Sequence, residues 1–117
     1  MKQQKIVLYC RFATKEQLCV QKERLREYAR NHNCEVVAEI DDRCSLKRFR
    51  RWRLRGVIRV ASKHEADIAV VNVSRISRKF SDLVWFTQKL SKQNLSLLSI
   101  SDGKVNYPSC LADQTLS

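Results

Sequence analysis

The chain has 117 residues, enough for one domain with a layered core and too few for a second independent one. Apolar residues make up 44% and aromatics 8%, which supplies a packed interior, and no run of 18 apolar residues or amino-terminal signal pattern argues for membrane insertion or export. With 23 Lys plus Arg against 12 Asp plus Glu, the formal net charge is +11, more than solubility alone asks for, so an anionic partner is expected and nucleic acid is the commonest.

Lys5 to Cys10 reads as a short β-branched and aromatic strand of the kind buried on both faces. Tyr9 to Gln17 then carries the chain across a polar turn, where Thr14 and Gln17 have capping-box spacing for a helix to about Asn31. Leu18, Gln21, Leu25, Tyr28 and Ala29 share one face of that helix, while Lys22, Glu23, Arg26 and Arg30 take the wet side. Asn31, His32 and Asn33 break the pattern, and Glu35 to Ile40 makes a second strand. Strand, helix and strand in this span predict a βαβ unit with parallel strands and a right-handed crossover. Ligands of such sheets gather at the carboxyl ends of the strands, which marks the turn after Cys10 as a candidate site.

Between Arg43 and Arg59 lie eight basic residues and no acidic one. Leu54, Val57, Ile58 and Ala61 nevertheless recur at helical spacing, so the second half of this run is expected to be an amphipathic helix with arginines on its exposed flank. Phe49 and Trp52 interleave with Lys47, Arg48, Arg50 and Arg53; the one-sided charge favours contact with a nucleic-acid backbone over the alternative, a solvated cationic face with two aromatics closing the core. Asp67 to Val73 is the clearest strand, ending in Ser74-Arg75-Ile76-Ser77-Arg78-Lys79. Arg75 and Arg78, three apart just past a buried strand, are placed either to grip a phosphate or as a surface pair in a helix cap. Ser81 is the expected cap of a helix to about Lys92, with Leu83, Phe86, Thr87 and Leu90 buried. Leu95 to Ile100 is expected as the last core strand, Ser101-Asp102-Gly103 as a turn, and residues 104–117 as a weakly anchored tail.

Five cysteines at 10, 19, 34, 44 and 110 show no Cys-x-x-Cys and no histidines at zinc spacing, so reduced thiols of a cytoplasmic protein are expected and a metal site is not. Only two glycines occur and none forms a phosphate loop after the first strand, which argues against a flavodoxin-like or receiver-like binder of a small ligand.

Three ordered stretches resemble one family. Tyr9-Cys10-Arg11-Phe12-Ala13-Thr14-x-x-Gln17 is similar to the Tyr-x-Arg-Val-Ser-Thr-x-x-Gln opening of the serine recombinases, the resolvase and invertase group. Asp67 to Arg78 resembles that family's strand followed by Asp-Arg-Leu-Ser-Arg, and Arg51-Trp-Arg-Leu54 falls where the family has Arg-Pro-Gly-Leu. Asp41 and Ser45 keep two positions of a further turn pattern whose glycines are here Arg43 and Leu46.

The resemblance covers roughly residues 5 to 103 and implies a three-layer resolvase-like α/β domain, with a mainly parallel sheet of about four strands flanked by helices. It implies site-specific DNA recombination of the kind that moves and integrates mobile elements, through a 5′-phosphoserine intermediate, with no metal or nucleotide cofactor. Carried over by position, Arg11, Arg51, Arg75 and Arg78 hold the phosphate, Gln17 positions it, and Ala13 occupies the seat of the attacking serine. Ser74 likewise replaces an acidic residue.

Alanine has no group able to form a phosphoester, so the chain as written is expected to be inactive. The alternative is a non-enzymatic relative that binds DNA or regulates a recombinase. Relatives assemble as dimers and tetramers through a long helix after the core and carry a helix-turn-helix reader; residues 104–117 contain neither, so an isolated core is expected.

Overall fold

A computed structural model describes residues 3–43 and 51–105. The elements run β1 (Lys5–Phe12), α1 (Lys15–Asn31), β2 (Glu35–Arg43), α2 (Arg51–His64), β3 (Asp67–Val70), a 3₁₀ turn (Val73–Arg75), α3 (Phe80–Lys92), β4 (Leu97–Ser99) and β5 (Gly103–Val105). The sheet order is β2-β1-β3-β4-β5, with β1 to β4 parallel and β5 antiparallel at the edge. Four parallel strands between helices make the expected resolvase-like α/β architecture, and β5 extends it past the boundary expected at 103. The rest of the expected tail, residues 106–117, lies outside the described residues.

Side-chain alternation along β1 explains the layers. Val7 and Tyr9 face a core shared with Leu54, Val57, Ile58 and Ala61 of α2 and Leu83, Phe86 and Leu90 of α3. Ile6, Leu8 and Cys10 face the opposite core, with Leu25 and Ala29 of α1. β3 alternates the same way, Ile68 and Val70 to the first core and Ala69 to the second. Each of Ile6, Val7 and Leu8 is at most 1% exposed, and burying such a side chain is worth about 1.5–3 kcal/mol. The chain steps from β1 to β2 in one direction and then back across β1 to β3; right-handed crossovers of opposite direction put α1 on one face and α2 and α3 on the other.

Several expected boundaries shift, among them that of β4, which spans Leu97–Ser99 rather than Leu95 to Ile100. β1 and β2 run longer, pairing as far as Phe12 with Arg43. β3 stops at Val70 rather than Val73, although Val71 stays buried and its carbonyl still accepts from Ser101 N at 3.1 Å. α3 begins at Phe80 with Lys79 at the N-cap, not at Ser81, because Ser77 already supplies the local bond, its Oγ accepting from Lys79 N at 3.1 Å.

All three helices leave by one device. Asn33, Glu65 and Asn94 have φ of 52°, 53° and 60°, and the following N–H groups of Cys34, Ala66 and Leu95 return to the carbonyls of Ala29, Ala61 and Leu90 at 2.8 to 2.9 Å. These are Schellman turns, and the residue after each left-handed position is buried.

Candidate functional site

The strand order reverses between β1 and β3, and the carboxyl ends of those neighbouring strands open a crevice no crossover covers. The turn after β1 and the turn after β3 meet there. Arg11, 3% exposed, donates from Nη1 to Ile76 O at 3.1 Å, and Arg75 donates from Nη1 to Arg11 O at 3.3 Å. The two arginines thus brace each other's turns. Arg75 Nε is buried without a hydrogen-bond partner among the described residues, a donor left over at the junction.

Gln21 holds the same point from below. Its Oε1 accepts from Arg11 N at 3.2 Å and its Nε2 donates to Arg11 O at 2.9 Å. Pairing of β1 with β3 ends at Leu8, so beyond it this amide supplies bonds that a longer strand would have made. Its signal in the sequence is a glutamine on the apolar stripe of α1.

Ala13 is exposed on the turn itself. Gln17 Oε1 accepts from Ala13 N at 2.8 Å while Gln17 N donates to Thr14 Oγ1 at 3.3 Å, so the expected capping box is present and fixes this backbone. Thr14 is committed to the cap, and its hydroxyl points into the helix end.

Arg51 opens α2 and is half exposed. It lies 3.6 Å from Asp82 Oδ1 and its guanidinium stacks 5.0 Å from the Trp85 ring centre. Asp82, 6% exposed, accepts from Ser77 Oγ at 2.9 Å. Arg51 is therefore tied through Asp82 to the turn that carries Arg75 and Arg78. In the chain Asp82 is simply a carboxylate in the first turn of α3, favourable in any such helix; its bridging role needs the packing of α2 on α3. Arg78 is exposed on that turn.

Arg53 faces elsewhere. It pairs with Asp42 at the end of β2, whose other oxygen accepts from Tyr9 Oη at 2.9 Å, and stacks 5.2 Å from Trp52. Lys47, Arg48 and Arg50 lie outside the described residues, as do Ser45 and Phe49. Among the described residues no three His, Cys, Asp or Glu side chains are grouped to hold a metal ion. Burial, reinforced by Asp41, pushes the Cys10 thiol up to about 11, so it is no nucleophile at neutral pH.

Comparison with known proteins fixes the family. The model of the resolvase N-terminal domain matches residues 6–113. The chain belongs to the resolvase family. Resolvase-type fold is also what solved structures share with it. The N-terminal catalytic domain of TP901-1 integrase superposes with a TM-score of 0.73 at 20% identity, covering 97% of this chain and 88% of that one. A resolvase family site-specific recombinase from Streptococcus pneumoniae gives 0.71 at 21% identity, covering 96% and 83%. The C-terminal catalytic domain of ISC1926 TnpA, an IS607-like serine recombinase, gives 0.71 at 18% identity, covering 96% and 78%. No curated protein matches the chain in sequence. Family membership puts the chain among domains of site-specific recombination, with DNA as the substrate class. No helix among the described residues is long and apolar enough to cross a membrane.

Proposed function

We propose that this chain is a serine-recombinase catalytic domain in which the strand-end site grips a DNA phosphate without cutting it. The junction of Arg11 and Arg75, which joins the turn after β1 to the turn after β3 beside the exposed Ala13 and Arg78, is the observation that carries the reading. Arg51 and Arg78 complete the set, and Gln17 sets the backbone at Ala13. In an active relative a serine at that seat attacks the phosphodiester, forming a 5′-phosphoserine bond as the 3′-oxygen leaves. The arginines stabilise charge on the non-bridging oxygens.

A methyl group at residue 13 forms no such bond. Thr14 is held in the cap and the Cys10 thiol is buried and protonated. The domain acts in the cytoplasm, on DNA of a mobile element, and strand exchange requires two or four copies together. It uses no cofactor.

Ala13→Ser tests the reading on DNA from the flanks of its own gene. The variant is expected to give a protein–DNA adduct that survives denaturation, and the parent chain none. An adduct with the parent chain would refute the missing-nucleophile reading.

One observation favours a second reading, a non-enzymatic relative that binds DNA or regulates a recombinase. Ser74, where the family has an acid, bonds locally to Asn72, so the site has diverged at a second position. Absence of an adduct from Ala13→Ser, with DNA binding that falls on Arg75→Ala, selects this alternative.

A further inference from the structure

α2 carries five Arg or Lys side chains and no carboxylate. Two of the five are engaged across the fold, Arg51 with Asp82 and Arg53 with Asp42. Arg55, Arg59 and Lys63 are exposed, and none of them has a carboxylate within ion-pair distance among the described residues. They recur every fourth residue, so they stand in one row. At 1.5 Å per residue the row is about 12 Å long, with about 6 Å between neighbours.

The contrast with α1 shows that the row is not a general property of the surface. α1 alternates its charges with Glu16, Glu23 and Glu27, and its Lys22 and Arg26 are met by Glu39 and Asp41 of β2. Beside the α2 row is an open hollow of about 440 Å³ lined by Arg55, Ile58, Arg59, Ser62, Lys63 and Gln93, again without a carboxylate. At the upper end of the same face Trp52 is 62% exposed.

We propose that this outer face of α2 is a second DNA contact, a phosphate-backbone track separate from the strand-end site. One small anion would touch two neighbours of such a row. A row of three on an open face suits a chain of repeated anions. Arg55 also lies 5.9 Å from the Trp85 ring centre, but none of the three has its charge neutralised by a carboxylate among the described residues, and each gains by displacing counterions from DNA. Arg51, at the start of α2, is tied to the strand-end turn, so the track leads away from that site along the helix. The proposal rests on the reading that the partner is DNA.

Binding of a short duplex of unrelated sequence, measured by anisotropy between about 50 and 200 mM salt, tests it. In R55Q/R59Q/K63Q the salt slope is expected to drop by about 2.7, at about 0.9 per contact, and affinity by about tenfold or more. Arg59→Gln alone, a single exposed change, should lower the slope by about 0.9. The charge-keeping R55K/R59K should retain the parent slope; a loss as large as that of the triple variant would overturn the proposal. A parent-like slope in R55Q/R59Q/K63Q, with a loss in Arg75→Ala, overturns the track and leaves the strand-end reading standing. Failure of the parent chain to bind any duplex removes both.

Discussion

Gln21 is a polar amide among apolar neighbours, and its two bonds to the Arg11 backbone explain its place on the buried face of α1. Arg11 O also accepts from Arg75 Nη1, so an apolar replacement orphans the Arg11 N–H and removes one of two bonds to the carbonyl. Gln21→Leu is expected to destabilise the fold by about 1–3 kcal/mol, read from urea denaturation. The same variant should weaken duplex binding more than its stability loss explains, because Arg11 loses the brace that fixes its turn. A variant as stable as the parent chain would show that Gln21 does not hold the turn. Ala13 is the reverse case. It is exposed and its N–H is held by Gln17, so adding a hydroxyl there should leave the fold unchanged.

Among the elements, α2 and its exit contain two local conflicts between residue and conformation. Gly56 sits mid-helix on the exposed face, and a Cβ added there meets nothing within 4 Å. Gly56→Ala is expected to stabilise by about 0.5–1 kcal/mol, by narrowing the unfolded ensemble. Glu65 has the opposite problem, with φ of 53° in the Schellman turn that closes α2. The two matching turns use asparagine, which tolerates this region better than glutamate. Glu65→Gly should therefore stabilise as well, by about 1 kcal/mol, and both changes should add in thermal melts because they act on separate residues. A glycine at 65 that lowers the melting temperature would mean that the Glu65 side chain contributes more than its backbone strain costs.

For the molecule as a whole, several proton-binding groups on the α1 side of the sheet share one alkaline window. Cys10 is raised by burial and then by Asp41, Cys34 by burial and then by Asp67, and Tyr28 by burial. Lys22 is raised by its hydrogen bond to Asp41. In each case the folded state holds its proton more tightly than the unfolded chain does. Stability is thus complete below the unfolded values and falls as pH climbs through the folded ones, for Cys10 from 9.0 to about 11. Denaturation midpoints are expected to decline steadily across that interval, with a shallower decline in Cys10→Val. An unchanged slope in that variant would assign the effect to the remaining groups.

What the sequence determined by itself was local and periodic. The β1 run, the Thr14 and Gln17 capping box, the stripes of α1, α2 and α3 and the three ordered motifs all depend on neighbours within a few residues, and these were legible. The arginines at the two strand ends were legible too, because a charge just past a buried strand has few places to go. Tertiary structure alone decided which of them meet. Arg11 and Arg75 join because β3 pairs beside β1, and Arg51 is tied to their turn through an aspartate on another helix. Arg53 is drawn to Asp42 by the packing of α2 beside β2, while Arg55, Arg59 and Lys63 on the same helix meet no carboxylate among the described residues. Every one of these helical charges looks alike in the chain. Only the fold supplies the carboxylates that neutralise some and spare the rest.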